Sequence, residues 1–278
     1  MRCTAILAGI GLLLAVTGTA GATYYVKHDF ETSWTPEDWA PGWESEEYRH
    51  GAEPIAKMEQ VDLTPYGRSG YGANLYMDSA ADLHWWGNVE ISVIPGGVLN
   101  TAYDPWVSVD MYDAGYTSGM DAIGQLYTLP SWVVDDDWTD VQFGGRPWGN
   151  PEGVYYYSWA DRPKEPWQAT TVQRPNLDQG DDPAWHNFKI QLSSTDNKLH
   201  YYIDGTEVGT STRADYTDLG GLQLSVMFID PLSGWGDTPP SVIFDNFEYG
   251  STVPEPVTMA GLMLGIGCLA RYVRKRKV

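Results

Sequence analysis

The chain has almost no cysteine. Cys3 and Cys268 are the only two, and both lie in the terminal segments. The long stretch between them therefore offers no disulfide, no thiol nucleophile and no zinc-thiolate site. Histidine is scarce too, and His28, His50, His84, His186 and His200 never fall at metal-ligand spacing. No Gly-x-Ser-x-Gly elbow supplies a serine nucleophile, and no glycine-rich loop supplies a phosphate cradle. Basic residues number 17 against 37 acidic ones. Arg2, Arg271, Arg274, Lys275, Arg276 and Lys277 sit in the terminal segments, as does Glu255, so the body keeps 11 basic and 36 acidic residues and a net charge near −25. Such a surface repels nucleic acid and anionic lipid, and suits neutral glycans or divalent cations. Long apolar runs are absent except at the two ends.

Those ends are informative. Residues 1–22 have a charged Arg2, an apolar stretch at 5–16 and a small-x-small site at Ala20-Gly21-Ala22, the pattern of a secretory signal peptide that leaves Thr23 first. At the other end, Pro254, Glu255 and Pro256 precede an apolar run that reaches a basic cluster of Arg271, Arg274, Lys275, Arg276 and Lys277. Proline at 256 suits a helix start. Residues 257–273 would then span roughly 26 Å as a helix, near the lower limit for a bilayer core. The positive-inside rule puts the basic cluster in the cytoplasm and the body across the membrane. Two separate segments thus predict export of residues 23–252.

The tail, residues 253–278, resembles the PEP-CTERM sorting signal of Gram-negative bacteria, with the triplet at Pro254, Glu255 and Pro256. The resemblance implies processing by an exosortase after signal peptidase, passage through the inner membrane, and release to the envelope or extracellular matrix. The alternative is a C-terminal anchor that is never cut. The expected domains are a signal peptide at 1–22, an ectodomain at 23–250 and a sorting tail at 251–278 with a transmembrane helix over about 256–273.

The body reads as β-sheet. No apolar period of 3.6 residues lasts beyond two turns, and short β-rich runs recur between turn residues. In 185–192, Phe188, Ile190 and Leu192 face one way and Asn187, Lys189 and Gln191 the other. Turn chemistry at 194–197, a return strand at 198–203, the tight-turn pair Asp204-Gly205 and a strand at 206–212 follow. Further strands are expected at 24–30, 73–77, 89–94, 107–112, 125–129, 141–143, 154–159, 222–229 and 242–249. Many short strands with 30 glycines and 18 prolines predict an all-β antiparallel β-sandwich, flanked by the signal helix and the C-terminal helix. Residues 130–184 fit this least well and are expected as long loops.

The order of these pieces resembles the concanavalin A-like (LamG-like) jelly roll of lectins and glucanases. The residues carrying the likeness are 185–192, the hairpin through Tyr201-Tyr202-Ile203-Asp204-Gly205, the closing Ile243-Phe244-Asp245-Asn246-Phe247 and the opening Asp29-Phe30-Glu31, which suits a first strand paired with the last. Carbohydrate-binding members of that group often hold a structural Ca²⁺ where those strands meet, which points to Glu31 and Asp245 as ligands. The glucanase strand motif Glu-x-Asp-x-x-Glu is absent. Glu44, Glu46 and Glu47 come closest, with the wrong spacing and no β-rich run around them. The acidic cluster Asp135, Asp136, Asp137 and Asp140 lacks the glycine and distal glutamate of an EF-hand loop and reads as a solvated loop.

All 13 tryptophans lie between Trp34 and Trp235. Indole faces stack on pyranose rings, so Trp85, Trp86, Trp132, Trp138, Trp148, Trp159 and Trp167 are glycan-binding candidates. Core filling is the competing use of each. Three functions follow: a non-catalytic module that binds a polysaccharide or glycoconjugate, a glycoside hydrolase or lyase on the same scaffold, and a ligand-free envelope protein. The first is the leading expectation and predicts an exposed row of coplanar rings. The second predicts two carboxylates about 5–9.5 Å apart in a cleft.

Overall fold

A computed structural model describes residues 21–31, 44–47, 56–77, 87–91, 103–117, 120–129, 141–145, 153–158, 167–229 and 241–254. Its strands are β1 (Gly21–His28), β2 (Glu44–Glu47), β3 (Ala56–Asp62), β4 (Tyr71–Met77), β5 (Gly87–Ile91), β6 (Trp106–Asp113), β7 (Tyr116–Thr117) and β8 (Met120–Leu129). They continue as β9 (Val141–Gly144), β10 (Val154–Tyr157), β11 (Gln168–Gln173), β12 (Ala184–Leu192), β13 (Leu199–Ile203), β14 (Thr206–Thr210), β15 (Gly221–Ile229) and β16 (Ser241–Pro254). Tyr25–Gly250 forms one compact unit. Among the described residues no helix is long and apolar enough to cross a membrane. Residues 1–20 of the predicted signal segment 1–22, and 255–278 of the predicted tail 251–278, lie outside the described residues; Gly21 and Ala22 begin β1 and Pro254 ends β16.

The protein is all-β; the described residues form two antiparallel sheets of eight strands each, as expected for a jelly-roll sandwich. One sheet runs β14-β13-β12-β6-β16-β4-β3, with β1 also paired to β16; the other runs β11-β10-β9-β8-β15-β5-β2, with β7 paired to β8. The first strand thus pairs with the last, although it begins at Gly21 rather than at 24. Phe188, Ile190 and Leu192 are fully buried, while Asn187, Lys189 and Gln191 alternate outward. Asp204 and Gly205 both take positive φ, 51° and 76°, as a two-residue turn between β13 and β14 requires. Aromatic rings fill the space between the layers. Phe143 of β9 meets Phe188 of β12 at 5.1 Å and Tyr201 of β13 at 5.3 Å, both edge to face. Tyr155 of β10 meets Phe188 at 5.0 Å.

Two expectations need correction. β9 and β10 fall at the strands expected at 141–143 and 154–159, but residues 168–173 of the stretch expected as long loops form a further strand, β11, and the three extend the second sheet. Val141, Phe143, Val154, Tyr155 and Tyr156 bury there, and this burial outweighs the local richness in turn residues. Glu44–Glu47 also forms a strand, paired with β5 from Glu44↔Glu90 to Glu47↔Gly87. Among the described residues it lies at the end of its sheet's strand order.

Candidate functional site

The outward face of the first sheet carries a polar cluster framed by aromatic rings. Strand pairing builds it. Asn187 on β12 lies opposite Asp110 on β6, and Asp110 lies opposite Asp245 on β16. Period two then puts Asp110, Tyr112, Trp185 and Asn187 on one face, away from Val109, Met111 and Phe188. Two aspartates directly opposite each other repel and weaken a sheet. Here that cost is offset from outside the sheet by Arg68.

Arg68 arrives on the β3–β4 connection. Leu63 is fully buried and anchors this segment, its amide donating to the Gly70 carbonyl at 2.9 Å. A single 3-10 turn over Thr64–Tyr66 ends at Gly67, whose φ of 79° reverses the chain. The Arg68 amide then donates back to the Leu63 carbonyl. From this loop, Arg68 Nη1 donates to Asp110 Oδ2 at 2.7 Å and to Asp245 Oδ2 at 3.1 Å. The guanidinium lies 4.0 Å from the centre of the Trp185 ring. Trp185 Nε1 donates to the Tyr66 carbonyl at 2.7 Å, tying the loop to the sheet.

Amide side chains complete the network. Asn187 Nδ2 donates to Asp110 Oδ1 at 2.8 Å. β16 bulges between Asp245 and Glu248, and Asn246 takes a φ of 47° there. Asn246 Nδ2 donates to both Asp110 Oδ2 and Asp245 Oδ2 at 3.0 Å. Burial pushes the Asp245 carboxyl above its ordinary range, and the neighbouring Asp110 charge adds to this. The Asn246 amide and Arg68 pull it down without overcoming the rise. Tyr66, Tyr112 and Trp185 form the rim, with centroids 5.1 Å and 5.4 Å apart and planes inclined by 70° and 54°. These rings are inclined rather than coplanar, so this part of the face is not the flat aromatic row expected above.

A second cluster joins the two sheets. Arg174 Nε donates to Asp113 Oδ2 at 2.7 Å, and Arg174 Nη2 donates to Asp113 Oδ1 at 3.0 Å. The Tyr155 hydroxyl donates to Asp113 Oδ2 at 2.8 Å, and the Gly115 amide to Asp113 Oδ1 at 2.8 Å. Both side chains of the ion pair are buried, at 1% and 5% exposure. Burial pushes Asp113 toward the neutral form, but Arg174 and the donated hydrogen bonds prevail, and its pKa falls below the ordinary value. Burial raises the Tyr155 phenol strongly, and Asp113 adds to the rise. At Asp113 the carboxylate is fully used, so the cluster is structural.

The sequence candidates are dispersed. Trp85, Trp86, Trp132, Trp138, Trp148 and Trp159 lie outside the described residues, as do Asp135, Asp136, Asp137 and Asp140. Trp167 is half-buried just before β11. Asp245 joins the Arg68 network, while Glu31 lies exposed beside Gly70. Among the described residues no group of three or more His, Cys, Asp or Glu side chains could hold a metal ion. His186 Nδ1 meets Asp204 Oδ2 at 2.7 Å, and His200 meets Glu207 and Asp196. Arg68, Asp110 and Asn187 escaped the sequence reading because their network closes only in the folded sheet, through contacts that span up to 177 residues of chain. The one legible signal was the alternation around them on β6 and β12.

No protein-family model matches the chain, and no curated protein does. Solved structures do. A GlcNAcα1-4Gal-releasing endo-β-galactosidase from Clostridium perfringens aligns at 10% identity over 85% of this chain and 64% of its own, with a TM-score of 0.52. A structure from work on endo-acting O-glycanases, which prominent human gut microbiota express to initiate mucin breakdown, aligns at 12% identity. It covers 81% of this chain and 98% of its own, also with a TM-score of 0.52. At such identities the likeness is one of fold: an all-β, two-sheet protein on an architecture that glycan-acting enzymes also use.

Proposed function

We propose that this chain is an exported protein with a concanavalin A-like sandwich that binds a glycan, without cleaving it, on the outward face of its first sheet. The observation that carries the reading is the Arg68–Asp110–Asn187–Asn246 network beside Trp185 and Tyr112. Fixed donors and acceptors next to aromatic surface suit sugar hydroxyls and C–H faces. Arg68 and Asn246 hold Asp110 and Asp245 as acceptors, which favours recognition over proton transfer. The fold likeness to glycan-acting proteins supports a saccharide ligand. In a glycan array, the full-length chain is expected to bind, and Trp185→Ala is expected to weaken that binding by about tenfold or more. Absence of binding to every glycan would leave a ligand-free envelope protein.

One observation favours a second reading, a hydrolase. Burial pushes the Asp245 carboxyl above its ordinary range, as a general acid needs, and a second carboxylate, Asp110, shares the Arg68 and Asn246 donors with it. Release of reducing ends from an array glycan, abolished by Asp245→Asn, would select it.

The sorting proposal rests on the residues at the two ends. Signal peptidase would cut before Thr23, and an exosortase would cut near Pro254-Glu255-Pro256. Mass spectrometry of the protein from a PEP-CTERM-sorting host should then find a chain that begins at Thr23 and lacks the basic cluster. A mature chain still ending at Val278 would defeat the exosortase step.

A further inference from the structure

Further along the same outward face stands a cation of a different kind. Lys189 lies on β12 opposite Ser108 of β6 and Tyr202 of β13. Its ammonium sits between two aromatic rings, 5.4 Å from the centre of Trp106 and 5.4 Å from the centre of Tyr202. Among the described residues it has neither a carboxylate partner nor a hydrogen-bond acceptor. The carboxylates nearest in the ladder are committed elsewhere: Glu248 to Lys27, Glu207 to His200 and Thr210, Asp110 to Arg68, Asn187 and Asn246. Burial alone moves the lysine, pushing its pKa below the ordinary value, and no opposite charge offsets this.

A half-buried ammonium left unpaired in so acidic a body is costly unless something completes it. Acidic side chains are abundant, so the lack of a partner among the described residues of this face is not explained by composition. We propose that Lys189, with Trp106 and Tyr202, forms a subsite for the anionic substituent of a sugar, a uronate carboxylate or a sulfate ester, whose ring packs against the flanking aromatics. The wider acidity constrains the ligand further. The body's negative field acts over about a Debye length, roughly 8 Å at physiological salt, so dense polyanions are repelled. A glycan that places one acidic sugar among neutral ones meets both conditions. This inference rests on the glycan-binding reading and specifies its ligand.

The test uses the full-length chain in detergent micelles on an array of matched oligosaccharides: uronate-bearing, sulfated, and the same uronates after carboxyl reduction to neutral sugars. Wild-type protein is expected to retain the acidic members and to bind the reduced ones at least about tenfold more weakly. Lys189→Met should erase that preference, and Lys189→Arg should keep it. Raising salt from about 0.05 M to about 0.5 M should weaken the acidic hits and spare the neutral ones. Thermal melts of both variants should match the wild type or exceed it, because no native ion pair is lost. Retention of only neutral glycans, or a Lys189→Met profile identical to wild type, would overturn this subsite while leaving glycan binding intact. Retention of no glycan at all would remove the parent reading with it.

Discussion

Arg174→Met should lower the stability of the sandwich by about 3–5 kcal/mol, because it strands the Asp113 carboxylate in the interior. For a body of this size that corresponds to a fall in Tm of about 6–20 °C, read by circular dichroism. Three kinds of group satisfy Asp113 in the native protein: Arg174, the Tyr155 hydroxyl and the Gly115 amide. Removing the cation leaves the Tyr155 and Gly115 hydrogen bonds but takes away the two from Arg174 and the charge compensation. The double variant Arg174→Met with Asp113→Leu should regain most of the loss, since a buried pair replaced by apolar groups of similar size is often neutral.

The pH dependence gives this prediction a sign. Asp113 titrates below its ordinary value of 3.8 in the folded protein, so the unfolded chain binds its proton more readily. Its contribution is therefore complete above that value and is lost as the pH falls through the folded-state pKa. Wild-type protein should lose stability in acid through this group. In Arg174→Met, burial becomes the dominant influence and the Asp113 pKa should rise above the unfolded value. The variant's deficit should then shrink as the pH drops and Asp113 becomes neutral. A deficit unchanged between neutral pH and mild acid would show that charge burial is not its cause.

Phe143→Ala should cost a similar amount, about 3–5 kcal/mol, for a different reason. Phe143 is fully buried and touches Phe188 and Tyr201 of the opposite sheet edge to face. Deleting the ring opens a cavity between two sheets whose backbone ladders cannot readily close on it. Phe143→Leu should cost less, about 1–2 kcal/mol, because it keeps most of the volume and loses chiefly the aromatic contacts. Chemical denaturation of the pair separates the two contributions. Equal losses for Ala and Leu would mean that ring geometry, rather than filled volume, holds the layers together.

These two positions also show where reading the chain alone succeeds and fails. Phe143 sits in a segment, 141–143, that its residues mark as a strand, yet the surrounding 130–184 looked like loops. β9 and β10 fall on its short apolar runs at 141–143 and 154–159, whereas β11, at 168–173, carried no such mark. Arg174 and Asp113 carried no signal at all. They are 61 residues apart, and each reads as an ordinary charge until folding encloses both. The Arg68 network behaves the same way. Its loop, two strands and a bulge are separately legible as turn and strand chemistry, but their convergence is not.

The amino acids in order were enough to specify the β-rich body, the inward set Phe188, Ile190 and Leu192, the Asp204-Gly205 reversal and the absence of thiol chemistry between the ends. All of these depend on neighbours within a few positions, where alternation and turn preference act. Which charges meet, which stay unpaired and which aromatics frame a polar surface depended instead on strands distant in sequence becoming adjacent in register. Asp110 faces Asp245, and Lys189 faces no acid among the described residues, because β6, β12 and β16 align as they do. Local preference cannot encode that alignment: each strand's pattern is satisfied by any partner that buries the same face.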